Sequence, residues 1–255
     1  MKNYQKIAIA SLFFIGIPIL LNSCQDKSQA EPDYAKSVTA TPMQADSLDC
    51  SCIVNPSDEI TPEETADLLY MREEEKMARD VYAYLYAQYE VPIFNNISKS
   101  EQVHMDRVLC LLNYYNIPDP ASEEAGVFND NVLQEMYDNL VELGSSSYVN
   151  ALAVGATIED VDIFDLASAL EATENEAIIT IFEHLKCASG NHLRAFNRLL
   201  TKNGGSYTPQ YISEEDFEEI ISGQTGPCGF GGGPGNGNVG GNPKVKGYGN
   251  CPRNK

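Results

Sequence analysis

The stretch SEQVHMDRVLCLL, residues 100–112, places Glu101 and His104 one helical turn apart. At helical spacing Glu101, His104, Val108, Leu111 and Tyr115 share one stripe. A carboxylate and an imidazole on an otherwise apolar stripe are metal-ligand types, since both offer lone pairs to a cation. Two plainer readings compete. Ser98-x-x-Glu101 has the spacing of a capping box, and a lone core histidine is commonly satisfied by hydrogen bonds.

Three more stripes show the same interruption. Leu68, Met71, Glu75, Ala78, Tyr82 and Leu85 form one, with Glu75 inside it. Glu73 and Glu74 flank Glu75, and their plain reading is a solvated acidic run. Tyr82, two turns along, is either aromatic core or a group that hydrogen-bonds a ligand or passes an electron. Tyr148, Leu152, Gly155, Glu159, Ile163, Leu166 and Leu170 form the next, with Asp162 one turn beyond Glu159. Its plain reading is a charged surface turn at Glu159-Asp160. Ile181, Leu185, Ala188, His192, Phe196 and Leu199 form the last, broken by His192, while Glu183 and His184 fall off it.

Interior groups of this kind are costly without partners. Glu75, Glu101, Glu159 and Asp162 carry four negative charges, and His104 and His192 bind metal as neutral imidazoles. Two divalent cations balance that set. Oxygen and nitrogen donors without thiolate suit iron or manganese, and zinc also fits.

The elements that must position these groups are helices. Thr61-Pro62-Glu63-Glu64 predicts a helix start, and the first helix runs to about Glu90 before Pro92. A second is predicted over about 99–116, and a shorter one over about 130–143, ending at Gly144. A third long helix runs from about Ser147 to Glu171. Thr173-Glu174-Asn175-Glu176 reads as a capping box for a fourth, ending near Lys202, and a short helix follows Ser213. No strand pattern occurs in 60–202. The expectation is an all-α four-helix bundle over 58–205, with a short extra helix between the second and third long ones. Residues 206–255 read as a short helix and a flexible Gly-rich tail.

Taken together, EEEKMARDVY, EQVHMDRV, GATIEDVDIFDL and GNHLRAF resemble the ferritin-like di-iron carboxylate proteins. Glu75-x-x-Ala78-Arg79-x-x-Tyr82 is similar to the first helix of rubrerythrin-type members. The fuller pattern resembles the ferritin-like domain of unknown function 2202 family, over about residues 60–202. The resemblance implies two iron ions held by Glu75, Glu101, His104, Glu159, Asp162 and His192, with Glu101 bridging. It implies reaction with dioxygen or peroxide, as an oxidase, ferroxidase or peroxidase, with Tyr82 beside the site. One departure stands out: Ser189 lies where such proteins carry a Glu, three residues before His192, and Asp162 is placed to supply the missing carboxylate. The chain has no Cys-x-x-Cys pairs for a rubredoxin-like centre, so catalysis needs an external electron donor. The alternative is a non-catalytic metal-binding or scaffold lipoprotein, or a bundle whose polar groups pair with one another.

The first residues read as an address. Lys2 and Lys6 precede an apolar run from Ile7 to Leu21, too short for a comfortable membrane span. Leu21-Asn22-Ser23-Cys24 resembles a bacterial lipoprotein box. That predicts a signal peptide over 1–23, lipid on Cys24, and a tether over 24–57. It places the protein at the bacterial cell envelope, membrane-anchored and facing the periplasm or cell surface. Six further cysteines in an oxidising compartment suggest disulfides. Cys50 or Cys52 reads as a disulfide partner, Cys110 and Cys187 as core, and Cys228 with Cys251 as a closure of the tail. With 37 acidic against 17 basic residues, the net charge of −20 argues against nucleic-acid binding.

Overall fold

The computed structural model describes residues 59–223, together with Cys50, Ile53, Pro56, Ser57 and Cys228. The expected signal peptide, Cys24, most of the tether and nearly all of the Gly-rich tail lie outside the described residues. Within them the protein is all-α, with six helices and no strand. These are α1 (Pro62–Tyr89), α2 (Pro92–Tyr114), α3 (Asn131–Ser145), α4 (Tyr148–Ala172), α5 (Glu176–Lys202) and α6 (Glu214–Ser222).

Side-chain pairings fix the arrangement. Ser98 on α2 donates to the Arg79 carbonyl on α1. Tyr70 and Tyr82 on α1 reach Asp165 and Glu159 on α4. Neighbours therefore run antiparallel around a ring in the order α1, α2, α5, α4, and the backbones of the diagonal pairs stay apart. In this ring α2 and α4 point the same way. The chain must return along the bundle between them, and residues 115–147, including α3, make that crossover.

The helix ends follow local chemistry. Thr61 and Glu64 form the expected capping box. Glu90 takes a left-handed conformation at φ 55°, which stops α1 and reverses the chain. The second helix starts seven residues earlier than the sequence suggested. Pro92 is its first residue rather than a barrier, because a first-turn N–H has no helical partner to lose. Ser98 thus lies inside α2 and does not cap Glu101. α3 runs through Gly144, which is buried against Leu85 and whose carbonyl accepts the Tyr89 hydroxyl at 2.7 Å. The cap of α5 is Asn175, not Thr173; the Thr173 hydroxyl instead bonds Glu64 at 2.5 Å.

Apolar residues form two clusters. One centres on Tyr82, Leu85, Phe94, Leu152 and Phe196. The other centres on Leu68, Met71, Val108, Leu111, Ile181 and Phe182. The supposed solvated acidic runs are buried instead. Glu73 accepts the Asn129 and Asp130 amides at 2.6 and 3.1 Å, fixing the start of α3. Beside it the fully buried Lys76 ammonium binds Asp80 at 2.7 Å and the Glu124 carbonyl at 2.9 Å, over the Phe128 ring. Arg72 grips Asp119 through two bonds of 3.0 and 2.7 Å. One face of α1 thus ties down the crossover. Asp160 does the same for the segment before α6. It accepts the Tyr207 hydroxyl and the amides of Gln210, Tyr211 and Ile212 at 2.6–3.2 Å.

Disulfides join Cys50 to Cys110 and Cys187 to Cys228. This corrects the reading of Cys110 and Cys187 as plain core and of Cys228 as the partner of Cys251. Both bridges connect distant segments, which sequence spacing cannot reveal.

Asp160→Asn should destabilise the protein by about 3 kcal/mol, because a buried amide replaces an ionised acceptor of several N–H groups. Denaturant unfolding measures the loss. Hydrogen exchange at Gln210, Tyr211 and Ile212 should quicken in the variant while exchange within α1 stays slow.

Candidate metal centre

Midway along the ring, α2 carries Glu101 into the interior. Its Oε2 lies 2.7 Å from Nδ1 of His104, and its Oε1 lies 3.0 Å from Nδ1 of His192 on α5. His104 Nδ1 is also 3.1 Å from Oε2 of Glu75 on α1. His192 Nδ1 is 3.3 Å from Oε2 of Glu159 on α4. The two imidazoles stack at 5.8 Å. All four long helices therefore contribute, and the stripes read from the sequence meet at one level.

The groups fall into two sets, Glu75 with Glu101 and His104, and Glu101 with Glu159 and His192. Within each set one ligand atom per residue lies within 4.8 Å of the others, and Glu101 belongs to both. Either set could hold a metal ion.

The fit to a cation rests on unmet acceptors. Each Nδ1 carries at most one proton yet faces two carboxylates. Oε1 of Glu75, Oε1 of Glu101 and Oδ1 of Asp162 are buried and receive no hydrogen bond. Although His192 lies 3.0 Å from Glu101 Oε1, it is not aligned to donate to it. Carboxylate oxygens and imidazole nitrogens that converge without satisfying one another suit a divalent ion of the iron, manganese or zinc type.

Without a cation, protons must supply the positive charge. Burial opposes a charged His192, but Glu101 and Glu159 outweigh it and lift the imidazole to about 10. His104 is raised well above its usual range, Glu75 and Glu101 overcoming burial. For Glu101 burial acts upward, yet the two imidazoles hold it well below the usual carboxylate range. Glu75 is pushed by burial up to about 7, against the pull of His104. Burial also raises Glu159 and, reinforced by the charges of Glu75 and Glu159, Asp162.

Asp162 stands beside the two sets rather than within them. Its Oδ2 accepts the hydroxyl of Ser189, the residue that departs from the resembled pattern. Tyr82 donates to Oε1 of Glu159 at 2.5 Å, with the Gly155 carbonyl at 3.3 Å. Its ring stacks on Phe196 at 5.3 Å. Gly155 is needed there, because a Cβ would overlap the Phe196 ring. Tyr82 is thus both core aromatic and orienting donor.

His184, set aside on its stripe position, lies edge-on to His104 at 6.5 Å. Arg107 Nη1 reaches its Nε2 at 2.9 Å. Burial, then Arg107, lowers His184 to about 3, so it stays neutral. A signal for this support was present: Arg107 follows His104 by one turn, on the same face of α2.

The pH response of the metal-free protein follows from these shifts. His192 titrates near 10 when folded against an ordinary 6.5, so its stabilising contribution is full below pH 6.5 and is lost as pH rises through 10. Glu75, raised to about 7 from 4.5, likewise gives most below pH 4.5 and loses it through pH 7. Glu101 has the opposite sign but is already ionised above pH 6. Urea unfolding in the presence of chelator should therefore show stability falling from pH 6 to pH 10, and His192→Gln should flatten the slope.

The family described as Uncharacterized protein domain (DUF2202) matches residues 64–224, which contain every residue of the centre. A relative named Uncharacterized protein MJ0754, from Methanocaldococcus jannaschii, is 53% identical over 171 residues, covering 67% of this chain and 92% of the relative. The structure titled "Crystal structure of hypothetical protein MJ0754 from Methanococcus jannaschii DSM 2661" superposes with a TM-score of 0.66 at 52% identity, over 67% of this chain and 98% of that one. The chain belongs to the DUF2202 family.

Proposed function

We propose that this protein is a ferritin-like di-metal protein, its centre holding two iron ions, that reacts with dioxygen or peroxide as an oxidase, ferroxidase or peroxidase. The observation that carries the reading is Glu101, one carboxylate shared between two Glu/His sets. Support for the ferritin-like assignment comes from a ring of four antiparallel helices with a long crossover, each helix giving an inward ligand. Glu75, Glu101 and His104 hold one ion, and Glu101, Glu159 and His192 the other. Manganese or zinc would fit the same donors.

Iron bound there would supply the redox chemistry toward dioxygen or peroxide. The chain's own residues prepare for it. Tyr82 fixes the orientation of Glu159 by donating to that carboxylate's Oε1. His184 and Arg107 back His104. The apolar clusters at each end keep bulk water out, which strengthens every charge interaction inside. Electrons come from an external donor, since the chain has no Cys-x-x-Cys pairs. The N-terminal pattern ending at Cys24 supports a lipid-anchored place at the cell envelope, and the two disulfides suit an oxidising compartment.

Ser189 favours a second reading, a metal-binding lipoprotein without turnover. Its hydroxyl occupies Asp162 where the resembled proteins have another carboxylate.

Anaerobic loading of the purified chain with ferrous iron separates these readings. About two irons per chain are expected, about one in His192→Ala and almost none in Glu101→Ala. A well-folded chain without metal would sink the proposal. Loaded protein that ignores both oxygen and peroxide would leave the binding role. Tyr82→Phe should keep the iron and slow the peroxide reaction about tenfold, the worth of a hydrogen bond of about 1.4 kcal/mol.

A further inference from the structure

The two apolar clusters differ in kind. Phe182 is the one buried aromatic residue of the cluster around Leu111. The cluster around Tyr82 holds a continuous series of rings instead. Between ring centres, Tyr82 stacks on Phe196 at 5.3 Å, Phe196 meets Phe94 at 5.9 Å, Phe94 meets Tyr89 at 6.4 Å, and Tyr89 meets Tyr148 at 5.8 Å. Each spacing is that of rings in contact.

The series has an inner and an outer end. Tyr82 is fully buried and donates to Glu159, a ligand of the proposed centre. Phe196 and Phe94 are fully buried too. Tyr89, on the last residue of α1, and Tyr148, on the first of α4, are partly exposed. The Gly144 carbonyl accepts the Tyr89 hydroxyl at 2.7 Å, which fixes that ring. Tyr82 and Tyr89 are two turns apart on one helix, so the series crosses about 10 Å along the bundle. Packing asks only for apolar volume here. The series adds tyrosine, an oxidisable ring, at both ends, and between them phenylalanine, which is not oxidised at comparable potentials.

Dioxygen takes four electrons and four protons on its way to water. Two ferrous ions supply two of the electrons, so two more must cross the protein. We infer that Tyr89 is their entry point, and that an external one-electron donor acts on the outer surface around Tyr89 and Tyr148. This inference rests on the proposed reaction of the centre with dioxygen. Tyr89 gives one electron to the oxidised centre across the rings of Phe94, Phe196 and Tyr82, and its phenolic proton goes to water. The tyrosyl radical so formed takes one electron from the donor and one proton from water, which restores the phenol. Two such passes complete the reduction.

Dioxygen added to the ferrous-loaded full chain without a donor tests this by freeze-quench electron paramagnetic resonance. A tyrosyl radical signal should appear, narrow in a chain carrying ring-deuterated tyrosine, and vanish when ascorbate is added. Tyr89→Phe keeps the ring contacts and should abolish the signal. Phe94→Leu keeps both tyrosines but breaks the ring series, and should slow the signal's appearance. Tyr114→Phe, at an exposed tyrosine on the last residue of α2, should change nothing. None of the three replaces a ligand, so iron content should match that of the unaltered chain. A signal that survives Tyr89→Phe, a signal that ascorbate does not reach, or oxygen consumption without any tyrosyl signal would overturn the inference and leave the di-metal reading standing. A loaded chain inert to dioxygen would overturn it together with the oxidase reading.

Discussion

Everything in this bundle is arranged around the cost of placing carboxylates in a dry interior. Glu75, Glu101 and Glu159 are each no more than 2% exposed, and apolar clusters close the bundle around them. In such surroundings a charge is stable only beside a countercharge. The two imidazoles are the local positive groups when protonated, and each faces two carboxylates through one nitrogen. That leaves Glu101 at the hub, touched from both sides. A pair of cations relieves the same strain with the imidazoles neutral. Metal uptake and proton release are therefore one exchange, and the affinity of the proposed centre must fall as pH falls.

The ring topology follows from the same need. Groups on α1, α2, α4 and α5 can meet at one level only if all four helices cross it, and the same-direction pair α2 and α4 then demands a long crossover. α1 binds that crossover with the residues on either side of its ligand. Three consecutive glutamates on a helix point in three directions, about 100° apart. Glu73 turns to the start of α3, Glu74 toward Asp165 on α4, and Glu75 to His104. One tripeptide thus serves the covering segment, the helix neighbour and the centre. Asp160 and Glu159 divide α4 in the same way, one toward the 207–212 segment and the other inward.

What could be read from the sequence was periodic. Four apolar stripes, each broken by one or two ligand-type residues, give the helices and the inward groups with no knowledge of topology. The Thr61 cap is legible for the same reason: its partners are three residues away. What escaped depends on partners far along the chain. Glu73 and Asp160 look like surface until the crossover and the 207–212 segment cover them. Pro92 permits both a stop and a start, and only the left-handed turn at Glu90 decides between them. Cys110 and Cys187 sit at core-like helical positions, and their partners lie 60 and 41 residues away. His184 escapes such a reading because a stripe describes one face, whereas a support for His104 can lean in from the next.

Ser189 and Asp162 are best understood as one linked feature. A glutamate at position 189 beside Asp162 would bring a fifth carboxylate against Glu75, Glu101 and Glu159, with no basic side chain among the groups acting on Asp162. Serine removes that charge and donates a hydroxyl instead. The carboxylate thus stands on α4 rather than α5, and the proposed centre still offers four negative charges to two divalent ions. The proposed centre is balanced but no longer symmetric. The half containing His192 has Tyr82 fixed on its glutamate, while the half containing His104 has Arg107 and His184 behind its imidazole. In the proposed centre one half therefore has a hydroxyl fixed on its glutamate, and the other a guanidinium behind its imidazole.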